Sequence, residues 1–246
     1  MNRNVGDSIY RSHFDFHIFF IGYCLSEQIK KIKFETDGTF DSIYVRVGDI
    51  TPNYDIANNA FTIGCTFDLE FYNNANETER CKYYVSLLKG ALHNVYKVKD
   101  IPLNSLNDII DSLVNNNFIY SWNFKSLMVP ELNLRVKFNC QLSTNDFKLD
   151  VFAYKGKSLF CKGTVIRTKP DDVFFSYISK KIKISNNTMV ISSKWDTALM
   201  TVNLKDLQNG VLVVDLAKTP YPDDINATNN FNLLQKELMY DNFDFI

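Results

Sequence analysis

Three residues near the N-terminus, His13, Asp15 and His17, are the first candidates for chemistry in this 246-residue chain. Imidazole and carboxylate groups transfer protons and bind metal ions. Apolar and polar residues alternate around them, which predicts an extended segment from Ile9 to Leu25. In a strand the three side chains would share one face, with the imidazoles about 13 Å apart and too distant for one metal ion. We therefore expect a solvated strand face here, and we predict no metal site and no cofactor.

Paired carboxylates are the second candidates, because two carboxylates can run hydrolytic or metal-assisted chemistry without histidine. The pairs are Asp171 and Asp172, Asp223 and Asp224, Glu77 and Glu79, and Asp108 and Asp111. Helix caps and loops explain such pairs without catalysis. The nucleophile-elbow, zinc-protease and dinucleotide-binding motifs are all missing from the sequence. We favour a non-enzymatic protein, with a hydrolase that uses carboxylates or the His13, Asp15 and His17 row as an alternative.

A basic segment is the strongest functional candidate. Residues 132–169 hold eight Lys or Arg residues against two Asp residues, whereas the whole chain carries a net charge of −1. Apolar and polar residues alternate there in three runs separated by polar turns, which predicts a three-stranded meander. Its wet face would carry Arg135, Lys137, Lys148 and Lys162 close together. We predict that these four residues bind a partner; the alternative is that the lysines only keep strands from associating edge to edge.

The elements that would position these residues follow from apolar spacing. Period-two runs predict strands at Ile32–Glu35 paired with Ser42–Val47, Phe61–Tyr72, Met189–Ser192, Ala198–Leu204 and Val211–Leu216. Helical spacing predicts helices around Tyr84–Val95, Leu106–Val114 and Phe231–Leu238. Pro170, followed by the carboxylates of Asp171 and Asp172, predicts the start of a short helix through Tyr177. The sequence thus predicts an α+β, β-rich fold with antiparallel meander sheets and three or four short helices. We expect one unit over residues 1–246, with two subdomains, 1–125 and 126–246, as the alternative.

Composition limits the binding partners and the cellular compartment that we expect for the protein. An apolar content of 46% is enough to build a core, and a nearly balanced charge gives no general attraction for nucleic acid. Five cysteines occur without a Cys-x-x-Cys pair, which favours reduced thiols in a reducing compartment. The longest apolar run is far shorter than the roughly 20 residues that a bilayer span needs, and no signal peptide is evident. We therefore expect a cytoplasmic protein without membrane insertion.

These observations favour a protein partner for the basic segment. Nucleic acid is disfavoured because the stacking aromatic residues near the lysines are limited to Phe152 and Tyr154. The most specific hypothesis is a bacterial immunity protein that neutralises a cognate toxin by occluding its active site. It is an analogy drawn from single-chain compactness and a composition typical of AT-rich genes. A phage or secretion-system structural subunit is a further alternative.

Overall fold

The computed structural model describes the backbone of residues 5–48, 54–185 and 187–239, and side chains from residue 18 onward apart from 173, 174, 179 and 180 within those ranges. Internal contacts divide the chain into two compact units, Met1–Phe118 and Ile119–Ile246. The boundary considered above, between residues 125 and 126, lies inside a strand of the second unit. The predicted α+β, β-rich class with mainly antiparallel sheets is confirmed.

The first unit contains the helices α1 (Val5–Ile32), α2 (Leu69–Asn74), α3 (Glu77–Tyr96) and α4 (Leu103–Asn115). A reciprocal capping box starts α3: the Asn76 side chain accepts from the Glu79 backbone, and the Glu79 carboxylate accepts from the Asn76 backbone. Helix α4, predicted around Leu106–Val114, begins at Leu103, directly after Pro102. Its buried stripe is as predicted from helical spacing.

The expected strand over Ile9–Leu25 is wrong, because α1 runs through this whole segment. In the N-terminal part of this segment, aromatic and polar residues alternate with the period-two pattern that is typical of a strand. The residues that α1 buries farther on follow a helical spacing instead: Phe20, Ile21, Cys24 and Leu25. Burial of that stripe outweighs the local period-two pattern.

A small sheet in the first unit has the order β1-β3-β2, formed by β1 (Ser42–Gly48), β2 (Tyr54–Ala57) and β3 (Ala60–Thr66). Strands β2 and β3 form a hairpin whose turn residues, Asn58 and Asn59, both have positive φ, as a type I′ turn requires. The predicted pairing of Ile32–Glu35 with Ser42–Val47 is wrong, because β1 pairs with β3 in parallel. The strand expected over Phe61–Tyr72 ends at Thr66, before α2 begins.

The second unit begins with an antiparallel sheet in sequence order, made of β4 (Ile119–Val129), β5 (Leu134–Ser143), β6 (Phe147–Lys155) and β7 (Ser158–Thr168). A 3-10 turn at Pro130–Leu132 joins β4 to β5. The predicted three-stranded meander is confirmed, and β4 extends it by a strand that the sequence pattern did not reveal. Alternate residues of β5 and β6 are buried and form one face of the core.

A second sheet has the order β11-β10-β9-β8, with β8 (Ile178–Ser185), β9 (Thr188–Ser193), β10 (Ala198–Asn203) and β11 (Val214–Leu216). The helices α5 (Asp172–Phe175), α6 (Leu204–Gln208) and α7 (Ile225–Leu238) complete the unit. The buried Gln235 of α7 donates from Nε2 to the carbonyls of Leu199 (2.7 Å) and Ala217 (2.8 Å). Met239, just after α7, forms a parallel bridge with Arg167 of β7, so this helix joins both sheets.

Candidate functional site

The polar face of the first sheet of the second unit brings together charged and aromatic side chains from four strands. Strand pairing arranges them in rows that run across the sheet, perpendicular to the strands. Alternate rows along a strand are about 7 Å apart, and directly opposite residues are closer. We call the residues of the first two rows the basic sheet face: Met128, Arg135, Tyr154 and Leu159 in the first row, and Ser126, Lys137, Phe152 and Lys162 in the second.

The first row alternates apolar and cationic groups. Met128 is 55% exposed and Leu159 is 48% exposed at its two ends. Between them, the guanidinium carbon of Arg135 lies 5.4 Å from the centre of the Tyr154 ring. The Nε–H of Arg135 is buried and makes no hydrogen bond to the described residues. The row therefore offers two apolar contact points on either side of a cation that is held against an aromatic ring.

The second row places an aromatic ring between two lysines. Phe152 on β6 lies opposite Lys137 on β5 and opposite Lys162 on β7. The Lys137 ammonium also reaches Tyr154 of the first row, at 5.5 Å from the ring centre. Three of the four predicted residues, Arg135, Lys137 and Lys162, thus surround one pair of aromatic rings.

Lys148, the fourth predicted residue, lies elsewhere on the same face. It precedes Phe152 by four positions on β6, which separates the two residues by about 13 Å along the strand. Between them, Asp150 accepts a hydrogen bond from the Thr164 hydroxyl (2.7 Å) and interrupts the run of positive charge. Lys148 instead lies opposite Arg167.

A buried carboxylate explains the position of Lys148. Asp146 is only 4% exposed, in the turn between β5 and β6. Its carboxylate accepts from Arg167 Nε (2.8 Å) and Ser143 Oγ (2.9 Å), and the Lys148 ammonium lies at 3.2 Å. These contacts hold the turn and compensate the buried charge, so Lys148 already has a structural role.

The row of His13, Asp15 and His17 belongs to α1, so the strand geometry expected for it is wrong. Residues 13 and 17 are one helical turn apart along this backbone. Their side chains, like that of Asp15, lie outside the described residues.

Several of the paired carboxylates take part in helix capping or ion pairs. Asp224 accepts from the Ala227 backbone at the start of α7, and Glu79 belongs to the α3 capping box. Asp111 pairs with Lys89 at 2.5 Å. A depression of about 440 Å³ near the start of α2 is lined partly by Asp68, whose carboxylate caps that helix. Within the described ranges, no three His, Cys, Asp or Glu side chains are arranged to hold a metal ion.

The five cysteines are free thiols. Burial, with a smaller contribution from the charge of Glu77, raises the pKa of Cys81 to about 12. Burial likewise raises the pKa of Cys24, helped by Glu27. Thiols held in the neutral form are poor nucleophiles, so these two positions are suited to packing.

A second cluster, around Trp195, was missed by the sequence reasoning. Trp195 lies in the turn between β9 and β10 and is 63% exposed. Lys181 and Lys183 of β8 approach the neighbouring Asp196. The available signal was the alternation of isoleucine and lysine over residues 181–184, which marks β8 as a strand.

Comparison with protein-family models, with curated proteins and with solved structures finds no match to this chain. The geometry of the candidate site must therefore carry the functional argument. In the part of the chain that the structure describes, no helix has both the length and the apolar content needed to cross a bilayer.

Proposed function

We propose that this chain is a non-enzymatic binding protein and that the basic sheet face docks against an acidic surface of one partner protein. The observation that carries the proposal is the pair of adjacent rows in which Arg135, Lys137 and Lys162 surround Phe152 and Tyr154. Aromatic residues, Met and Arg are the residue types enriched at the centres of protein interfaces. The same rows provide all of them.

The composition of the face favours a protein over a nucleic acid. Met128 and Leu159 offer exposed apolar side chains, which fill pockets in a protein surface but give nothing to a phosphate backbone. Asp150 lies on the same face and would repel a phosphate chain that continued along the strands. An acidic protein surface with apolar pockets satisfies both features.

The cationic and aromatic groups affect different steps of binding, namely association and dissociation. Lysines at the face raise the rate of encounter with an acidic partner, while an aromatic side chain buried in the contact slows dissociation. In its most specific form, we propose that the partner is a toxin domain whose active site is covered by this contact, as in a bacterial immunity protein. The sheet supports such a role by presenting a broad surface held in place by hydrogen-bonded strands.

Affinity capture from the native organism tests the proposal. The wild-type protein serves as bait and is compared with a face variant that carries Arg135→Glu, Lys137→Glu and Lys162→Glu. A control variant carries Lys205→Glu, Lys218→Glu and Lys236→Glu. Both variants make the same charge change in the second unit, and circular dichroism checks that both are folded. With the purified partner, we expect affinity to fall about 100-fold or more, ~3 kcal/mol, in the face variant only.

Three results would overturn the proposal: equal binding by the face variant, equal loss in the control, or retention of nucleic acid instead of protein. If the captured partner is toxic, adding the protein should suppress toxicity, and the face variant should not. A captured partner that is an ordinary structural component would reject the toxin form of the proposal while leaving the interface intact.

Arg135 offers a separate prediction, because its Nε–H is buried without an acceptor. An unsatisfied buried donor costs about 1–3 kcal/mol, more than the roughly 0.5–1 kcal/mol of an exposed cation–π contact. Arg135→Met should therefore leave the free energy of unfolding unchanged or raise it by about 1 kcal/mol, while weakening partner binding. Urea unfolding and binding to the purified partner measure the two effects; a destabilised variant would show that Arg135 serves mainly the fold.

A further inference from the structure

The outer edge of the second sheet provides an independent surface. Strand β8 is the last strand in the order β11-β10-β9-β8, and among the described strands only β9 pairs with it. Its pairing with β9 is regular from Ile182 to Ser185. The other side of β8 therefore presents backbone N–H and C=O groups to whatever approaches it.

The side chains of β8 differ on its two faces. Ile182 and Ile184 lie opposite Ile191 and Met189, which are both fully buried. The side chains of the two β8 isoleucines therefore lie on the core side of the sheet. Ile184 is nevertheless 41% exposed, since among the described strands none pairs with the outer side of β8. Lys181 and Lys183 alternate with them and are largely exposed. A strand added to this edge would meet apolar groups on one face and cations on the other.

Trp195 lies near the start of β8, on a turn held by several hydrogen bonds. The Ser193 hydroxyl accepts from the backbone of Trp195 (3.2 Å) and of Thr197 (3.3 Å). The Lys194 backbone donates to the Tyr177 carbonyl (2.6 Å), which ties the turn to the start of β8. An exposed indole on a turn fixed in this way loses little conformational freedom when a partner covers it.

Contacts around the indole place further positive charge beside it. The Lys194 ammonium lies 4.8 Å from the ring centres of both Tyr177 and Trp195, and the two rings meet edge to face at 4.9 Å. Lys181 and Lys183 lie 3.7 and 3.6 Å from the Asp196 carboxylate. Together with Lys194 the cluster holds three lysines and one aspartate, which leaves it positive.

We propose that the β8 edge and Trp195 bind an acidic, extended segment of a partner protein, which adds to the second sheet as a further strand. Backbone hydrogen bonds to β8 would supply the pairing, and acidic side chains would meet Lys181 and Lys183. The lysines repel the β8 edge of a second copy of this chain, so the edge discriminates by charge in favour of acidic strands. This surface is distinct from the basic sheet face.

A single-stranded nucleic acid fits this cluster less well. Such ligands bind by stacking successive bases on several aromatic faces. Here the edge-to-face contact and Lys194 occupy the approach to Tyr177, so Trp195 is the main platform that the cluster offers. The unpaired strand edge has no role in binding a nucleic acid but is what an extended peptide requires.

A synthetic peptide of about ten residues, in which Glu alternates with Val, tests the proposal. The probe carries a fluorescent label, and binding to the full chain is followed by anisotropy. A second peptide of the same sequence is N-methylated at alternate backbone positions, which removes the hydrogen bonds along one edge but leaves every charge. We expect only the first peptide to bind, and hydrogen exchange to slow at residues 181–185 when it does.

Variants assign the binding to this edge. Lys181→Glu with Lys183→Glu, and separately Trp195→Ala, should each weaken the peptide about tenfold or more, whereas Lys205→Glu should not. Equal binding of the N-methylated peptide would overturn strand addition. Failure of the first peptide to bind, or binding of a single-stranded oligonucleotide in its place, would overturn the proposal, and neither result bears on the basic sheet face.

Discussion

At the scale of single residues, the carboxylate of Asp37 has the clearest electrostatic setting. The Lys99 ammonium donates to Asp37 Oδ2 at 2.6 Å, and Thr39 donates to Oδ1 from its hydroxyl and backbone. These hydrogen bonds, that of Lys99 first, lower the pKa of Asp37 to about 2. Because the pKa is lower in the folded state, the stabilisation is present above the ordinary pKa near 3.8 and is lost as pH falls towards 2.

Removing the ammonium should reverse most of that pKa shift. In Lys99→Met, we expect the pKa of Asp37 to rise from about 2 towards 3.8, as measured by an NMR titration of its carboxyl carbon. The matched control is Lys89→Met, which breaks the ion pair with Asp111 and should leave Asp37 unchanged. A pKa that stays near 2 without Lys99 would show that Thr39 alone holds the carboxylate ionised.

The residues of the basic sheet face were predictable from the sequence, but their grouping was not. Alternation placed Arg135, Lys137, Lys148 and Lys162 on one wet face. The rows depend on the register of each hairpin, and two irregularities in the pairing of β6 with β7 shift that register. Nor could local spacing reveal that a buried Asp146 engages Lys148.

At the scale of elements, Gln235 fastens α7 to the second sheet. Its amide donates to two backbone carbonyls, and Gln235→Leu would leave both acceptors without this donor. Such a loss costs about 1–3 kcal/mol, so we expect the free energy of unfolding to fall by that amount in urea. Gln208→Leu at the exposed end of α6 serves as the control, with a change within about 0.5 kcal/mol. An equally small effect at Gln235 would mean that water replaces its amide.

Several elements with a long, continuous pattern were predicted, and elements with a broken or short pattern were missed. Strict alternation from Leu134 to Leu142 revealed β5. In β4 the alternation changes phase at an irregularity between Asn123 and Lys125, which concealed the strand. In β8 the alternation of lysine and isoleucine covers only residues 181–184, a short strand signal that the sequence predictions left out.

At the scale of the whole molecule, the two units should fold independently. Every strand pairing among the described residues stays within one unit. We expect a fragment of residues 119–246 to give a dispersed NMR spectrum and a cooperative unfolding transition. A fragment of residues 126–246, which cuts through β4, should be clearly less stable. A disordered 119–246 fragment would contradict the division at Phe118.

The strand order β1-β3-β2 in the first unit also suggests the order in which the three strands pair during folding. The two-residue turn at Asn58 and Asn59 brings β2 and β3 together at small entropic cost, so this hairpin can form early and locally. Among the described strands, β1 pairs only with β3, in parallel. The hydrogen bonds of β1 can therefore form only after β3 has taken up its strand conformation. Parallel pairing over a longer loop is slow. We therefore expect β1 to join this sheet after the β2-β3 hairpin has formed, and a substitution in the Asn58–Asn59 turn to delay that step without touching β1.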